Sequence, residues 1–142
     1  TCNTIMGQQQ LLLIILGVLI VGVAVAVAIT LFNDHLIEAN RDNLQNDLAL
    51  MATRAQEYYF RPLPMSGGGH SFVGVTADAA GMAKISSQEF ADNEHGTFIV
   101  QTAGTTSLVI LQAVGKVELP DGTFPTYNCR VRNRKYLTQR IN

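Results

Sequence analysis

Charged residues are missing from a long stretch near the start of this 142-residue chain. Residues 11–32 read LLLIILGVLIVGVAVAVAITLF, without a single Asp, Glu, Lys or Arg, and Thr30 is their only clearly polar side chain. The segment before them also lacks Lys and Arg, whereas a secretory signal peptide normally carries positive charge ahead of its apolar core. We therefore expect the apolar stretch to be retained in the working protein.

No constellation of side chains typical of catalysis occurs in the sequence. The histidines His35, His70 and His95 lie in different segments, without the spacing of metal ligands. Residues 67–69 read GGG, but the lysine and the serine or threonine of a phosphate-binding loop do not follow. We expect neither an enzyme nor a cofactor or metal site, and the histidines are expected to have surface or packing roles.

The apolar stretch is predicted to be a helix with no polar face. At a rise of 1.5 Å per residue it would be about 33 Å long, which is enough to cross a hydrocarbon core of roughly 30 Å. The alternative is the buried core helix of a globular protein, but a domain of this size has little use for a helix that is apolar on every side. The sequence favours a segment that lies in a membrane, in a protein assembly that excludes water, or in each in turn.

The helical pattern continues beyond the apolar stretch, because no proline or glycine interrupts residues 33–60. Spacings of four, three, four and three residues place one apolar stripe on this part of the helix, formed by Leu44, Leu48, Met51, Ala55 and Tyr58. We predict a single helix over about residues 8–60, which ends before Pro62 and Pro64 because proline lacks the amide donor. Aromatic residues 58–60 are expected to pack the end of this helix against the rest of the fold.

The last third of the chain has the composition of β-strands. Residues 97–102, 107–117 and 126–133 are predicted as three antiparallel strands, with turns at 103–106 and 120–122. Gly115 is expected to mark a bulge. A small sheet with one apolar face needs a cover, and the stripe on the helix supplies it, so the predicted fold class is α+β.

Two shorter segments are predicted between the helix and the sheet. Residues 71–76 read SFVGVT, which suits either a short strand or a packed extended segment. Ser86 and Glu89 have the spacing of a capping box and predict a helical turn there. The predicted organisation is thus a polar N-terminal segment, an apolar helix, an amphipathic continuation of that helix and a β head, over residues 1–10, 11–32, 33–61 and 62–142.

The charge of the chain is unevenly distributed. Of its 10 basic residues, five lie in residues 130–142, where there is no acid, whereas all 11 acids lie before them. Arg130, Arg132 and Arg134 are predicted to form a basic face, opposite a face formed by Tyr127, Cys129 and Val131. Such a face can bind nucleic acid, remain solvated or pair with an acidic surface of a neighbouring copy. We expect no nucleic-acid partner, because no aromatic residues are interleaved with the arginines.

The junction MGQQQLLL before a long apolar helix, its amphipathic continuation and a small β head together resemble the type IV pilin family. The resemblance implies that a prepilin peptidase cuts between Gly7 and Gln8, and that the helix anchors the subunit in the membrane until it moves into a filament core. The family usually carries a glutamate just after the cut, where this chain reads QQQLLLII, and often a proline in the apolar half, where this chain has only glycines. The expected filament-core residues are Leu11, Ile14, Ile15, Gly17, Val18, Gly22, Val25 and Ile29.

The resemblance implies a structural subunit of an extracellular filament. Its expected partners are further copies of the same chain in a helical polymer, the membrane before assembly, the pilus assembly machinery and the prepilin peptidase. Its expected location is the cell surface, with an inner-membrane pool before assembly. Two alternatives are a pseudopilin or minor subunit of a type II secretion-like machine, and a single-pass membrane-anchored binding domain that never polymerises.

Two cysteines are too few for a disulfide framework. Cys2 precedes a helix on the order of 80 Å long, and Cys129 belongs to a strand predicted to pack near the far end of that helix. A disulfide needs Cα atoms about 4.4–6.8 Å apart, so we expect no bridge within one chain.

Overall fold

The computed structural model describes the backbone of residues 2–142 and the side chains of residues 5–142. Helix α1 spans Cys2–Phe60. It begins six residues before the predicted start, because the polar segment ahead of the apolar stretch contains no proline and continues the helix. The side chain of Cys2 is not among the described side chains. The predicted absence of a bridge between Cys2 and Cys129 therefore stays a prediction.

The chain divides into two compact units, one up to Leu36 and one over Ile37–Asn142. In the first unit every described side chain is exposed. In the second unit Asn40 is the first buried residue, and its Nδ2 donates a hydrogen bond to the carbonyl of His95 at 2.8 Å. The second unit therefore begins where side chains of α1 first pack, a few residues beyond the end of the apolar stretch.

Helix α1 ends at Phe60, as Pro62 and Pro64 predict. A short 3₁₀ helix over Leu63–Met65 follows, and the glycine loop, residues 66–71, then turns back to the end of α1. The amides of Gly68 and His70 donate to the carbonyls of Tyr58 and Tyr59 at 2.7 and 2.8 Å, which satisfies groups that a helix end leaves unpaired. At Gly68 a Cβ atom would lie 2.0 Å from the carbonyl oxygen of Ser71, so only glycine fits this close turn.

The sheet has four antiparallel strands in the order β1-β2-β3-β4, namely Gly96–Thr102, Leu108–Gly115, Thr126–Arg132 and Tyr136–Arg140. The first three correspond to the predicted strands and confirm the predicted α+β class. The fourth was missed: it pairs with β3 at the edge of the sheet, and its mostly exposed residues lack the apolar alternation that reveals a strand.

Gly115 does not form the predicted bulge. It pairs directly with Gly96, and the irregularity lies between Val100 and Thr102 instead. The two glycines make room for α1, since a Cβ at Gly96 would lie 2.5 Å from Cδ2 of Leu44 and one at Gly115 would lie 2.6 Å from Oδ1 of Asn40. The close approach of α1, and not a β-bulge, explains why residue 115 is a glycine.

The core of the second unit lies between α1 and the inner face of the sheet. All five residues of the predicted stripe, Leu44, Leu48, Met51, Ala55 and Tyr58, are buried in one cluster with the inward residues of β1, β2 and β3. Residues 71–76 form no strand, but Phe72 and Val75 from this segment are also fully buried. The segment is therefore packed, as the second alternative expected, but it is not extended: the amide of Val75 donates to the carbonyl of Phe72 at 2.8 Å and closes a turn.

Two short helices lie between the glycine loop and the sheet. Helix α2, Ala79–Ile85, was not predicted; Asp78 caps it by accepting a hydrogen bond from the amide of Gly81 at 2.8 Å. Helix α3, Gln88–Ala91, is the predicted turn, but the capping box is absent. Its N-cap is Ser87, whereas the buried Ser86 ends α2 and accepts a hydrogen bond from Arg54 at 2.9 Å.

Replacement of Leu48 by alanine should lower the free energy of unfolding of the second unit by about 2–5 kcal/mol, because the side chain is fully buried and leaves a cavity. The matched control is Leu50→Ala on the same helix, where the side chain is 40% exposed and the expected loss is within about 0.5 kcal/mol. Urea unfolding in detergent, followed by near-ultraviolet circular dichroism of the tyrosines, measures both changes. Equal losses in the two variants would contradict this packing.

Candidate functional site

The first candidate functional feature is the apolar stretch of α1. All eight residues expected in a filament core are exposed. All of them except Gly17 share one face of the helix, because they recur at intervals of three and four residues along the sequence. Among the described residues, one helix is long and apolar enough to cross a membrane, and none of its most apolar window is buried. The hydroxyl of Thr30 donates to the carbonyl of Val27 at 2.8 Å, so the one polar side chain of the stretch is satisfied within the helix.

The glycines of the apolar stretch face open space. A Cβ atom built on Gly17 or Gly22 would meet no heavy atom within 4 Å, and the same holds for Gly7 near the start of the helix. Nothing within the chain therefore requires a small residue at these positions. Gly7 and Gln8, the expected processing site, are both exposed within α1.

The predicted basic face is divided between a strand and a turn. Arg130 and Arg132 alternate with the buried Cys129 and Val131 on β3 and are exposed, as expected. Arg134 lies beyond the end of β3 in the turn to β4, so it does not continue the face of the strand. A depression of about 290 Å³ lies here, lined by Arg130, Arg132, Lys135, Tyr136 and Leu137.

The histidines lie on different elements: His35 on α1, His70 in the loop after the 3₁₀ helix and His95 just before β1. Among the described residues, no three His, Cys, Asp or Glu side chains are grouped so that they could hold a metal ion. His70 packs edge-on against Tyr59 and Phe60, with ring centroids 5.6 and 5.7 Å apart. The ring centroids of Tyr59 and the buried Phe72 are 4.9 Å apart. The aromatic residues at the end of α1 therefore pack the glycine loop onto the core.

A second surface feature has no counterpart in the sequence analysis. A groove of about 330 Å³ separates α2 and α3 from β1, and its walls are mostly apolar, with Met82, Ala83, Ala91, Phe98 and Val100 among the lining residues. Two exposed carboxylates flank it, at the caps of α2 and α3. Hydrogen bonds from Thr76 and from the Gly81 amide lower the pKa of Asp78, and those from Lys116 and Thr97 lower the pKa of Asp92. The sequence signal for this region was Asp78 ahead of the run AAGMA.

Cys129 is fully buried in the inner face of β3. Burial raises the pKa of its thiol, which a hydrogen bond with Thr138 only partly opposes. The thiol therefore stays protonated at neutral pH, and the thiolate is the form that reacts.

Iodoacetamide should consequently leave Cys129 unmodified in the folded protein and alkylate it only after denaturation. Peptide mass mapping without reducing agent measures the labelling and at the same time reports on the predicted absence of a Cys2–Cys129 bridge. Rapid labelling of the native chain would contradict the burial, and a peptide that joins the two cysteines of one chain would contradict the disulfide prediction.

The architecture consists of a long N-terminal helix, apolar and exposed over its first part, and a small antiparallel sheet that packs against its last part. Such an architecture is compatible with that of pilin-like proteins. Comparisons of the chain with protein-family models, with curated proteins and with solved structures found no significant match.

Proposed function

We propose that this chain is the structural subunit of a type IV pilus-like extracellular filament and that it polymerises through its N-terminal apolar helix. The observation that carries the proposal is the exposure of every side chain of residues 11–32. Large contiguous apolar surfaces on a folded chain normally contact lipid or another protein. A membrane before assembly and a bundle of identical helices afterwards supply these two environments.

Assembly exchanges lipid for protein around the same helix. Because lipid tails are as apolar as the side chains that they contact, the exchange gains little hydrophobic free energy, and close van der Waals packing must decide it. Gly17 and Gly22, which meet nothing within the chain, allow neighbouring helices to approach closely. A contact that relates each copy to the next without closing produces a helical polymer.

The proposal includes the partners implied by the resemblance. A prepilin peptidase would cut between Gly7 and Gln8, and the pilus assembly machinery would extract the processed chain from an inner-membrane pool. The glutamate that usually follows the cut is replaced here by Gln8, Gln9 and Gln10, whose amides need hydrogen-bond partners when buried. Mass spectrometry of the assembled protein is expected to find Gln8 at its start.

Negative-stain electron microscopy of sheared cell-surface fractions tests the proposed function directly. Abundant thin fibres that contain this chain support it. Recovery of the chain only in detergent extracts would instead indicate a membrane-anchored binding domain. Rare copies at the ends of fibres made of another protein would indicate a minor subunit.

Leucine at both Gly17 and Gly22 should reduce the fibre yield about tenfold or more, because overpacking between helices costs roughly 1–3 kcal/mol per site. Insertion into the membrane should be unchanged, since both positions face open space and leucine is the better helix former. The control replaces the exposed Val21 and Val23 by leucine, which adds only one carbon at each position. Fibre yields are measured by sedimentation, and equal yields from both variants would contradict close packing at the glycines.

We also propose that Arg130 and Arg132 contact acidic surfaces of neighbouring copies, with Arg134 beside them. The double reversal to glutamate should reduce the fibre yield, most strongly at low salt. A single reversal has little effect, because one exposed ion pair contributes only about 0–1 kcal/mol. The control is the double replacement by lysine, which keeps the charge. A normal yield at low salt after the double reversal would leave the face solvated.

A further inference from the structure

The edge of the sheet at β4 is open. Two hydrogen bonds fix the alternation along this strand: the amide of Arg132 donates to the carbonyl of Lys135 at 2.8 Å, and the amide of Ile141 donates to that of Thr126 at 2.9 Å. In an antiparallel pair only every second residue bonds to the neighbouring strand. The others direct their N–H and C=O groups to the free edge, and in β4 these are Tyr136, Thr138 and Arg140.

The edge at β1 is open over its second half. The amide of Gly115 donates to the carbonyl of Pro125 at 2.8 Å, and continuing the alternation across β2 turns Phe98 and Val100 of β1 to the free edge. A bridge between Asp92 and Thr97 closes the first half. Within residues 5–142 no backbone hydrogen bond outside the sheet reaches residues 98–102. The apolar groove described above lies along this open part.

We propose that β4 of one copy adds to β1 of the next copy and that its side chains enter the groove beside α2 and α3. The inference rests on the proposed function, because it names the contact between subunits of the filament. In this four-stranded meander β1 and β4 run in opposite directions. When two copies point the same way, β4 of one is therefore antiparallel to β1 of the other, and an unpaired edge accepts such a strand through main-chain hydrogen bonds.

The faces of the two strands match. The register places Tyr136 and Thr138 on the same side of the sheet as Val131 and Cys129, which is the side that α1 covers. Phe98 and Val100 are buried on that side as well. Tyr136 is 44% exposed within one chain, and β-addition places it in the apolar groove of the neighbour. One contact thus covers both the bare inner side of β4 and the groove.

The charges match too. Residues 130–142 carry only basic charges, whereas residues 77–94 carry Asp78, Glu89, Asp92 and Glu94 with Lys84 as their one base. If Thr138 pairs with Val100, the end of β4 at Arg140 reaches the Asp92–Thr97 bridge, and Arg140 lies next to Asp92, which Lys116 also contacts at 2.8 Å. Lys135 then lies beyond Thr102, towards Asp78 at the start of α2. Opposite charges near both ends of the added strand favour this register over a shifted one.

Paired cysteines on the exposed side of the sheet test the contact. In the proposed register Ile99 lies opposite Gln139, both in exposed positions, at a distance that a disulfide can span. The full chain carries Ile99→Cys and Gln139→Cys, with Cys2→Ser so that Cys2 cannot contribute a cross-link, and is oxidised in membranes. The double variant should give a covalent ladder of dimers, trimers and larger species. The two single variants, when mixed, should stop at a dimer.

Each single variant alone should give no product. A dimer from Gln139→Cys by itself would show a two-fold contact between two β4 strands and would overturn the proposal. The variant with Ile99→Cys and Leu137→Cys examines the register shifted by two residues, and a ladder there supports edge addition with a corrected register. The absence of any ladder from both double variants overturns the proposal, provided that their circular dichroism matches that of the parent chain.

Electron microscopy of the same samples separates this inference from the proposed function. Fibres without a covalent ladder overturn the edge contact and leave the filament standing. A ladder without fibres under any condition supports the edge contact and contradicts the filament.

Discussion

The burial of one helical stripe against one face of the sheet is the interaction on which the second unit depends. A sheet of a few short strands with a single apolar face is not stable in water by itself, and the amphipathic part of α1 gains its stability mainly from packing. Each large side chain of the stripe contributes on the order of 1.5–3 kcal/mol when it is buried. Helix α2 and the segment around Phe72 then extend the same core.

The features that follow from a repeating pattern could be predicted from the sequence. Spacings of three and four residues identified the stripe from Leu44 to Tyr58, the prolines set the end of α1, and β-branched composition identified three strands. The features that were missed depend on partners distant in sequence. Strand β4 has few buried residues and is defined by its hydrogen bonds to β3, and α2 is a seven-residue helix whose only local signal is its cap, Asp78. The role of Gly115 depends on where Leu44 and Asn40 pass, which no local pattern reports.

The groove beside β1 could not be predicted for a similar reason. It exists because α2 and α3 pack beside the edge strand without bonding to its second half, and a sequence does not reveal the gap between two elements. The basic residues that are proposed to approach it were visible at once, because they are concentrated in a single segment. Only the register of β4 shows which of them lie on which side of the sheet. The composition therefore showed where the basic residues lie in the sequence, and the structure showed on which side of the sheet each of them lies.

Asn40 gives the helix a defined longitudinal position on the sheet. An apolar stripe with spacings of three and four residues nearly repeats after seven, so leucines alone would tolerate a helix displaced by two turns. In the observed setting Nδ2 of Asn40 reaches the carbonyl of His95, whereas its Oδ1 is buried in the space left by Gly115 without a hydrogen-bond partner among the described residues. A displaced helix would bury Nδ2 of Asn40 without a partner as well, which is costly. One buried polar side chain thus fixes how many residues of α1 belong to the packed unit and how many remain ahead of it.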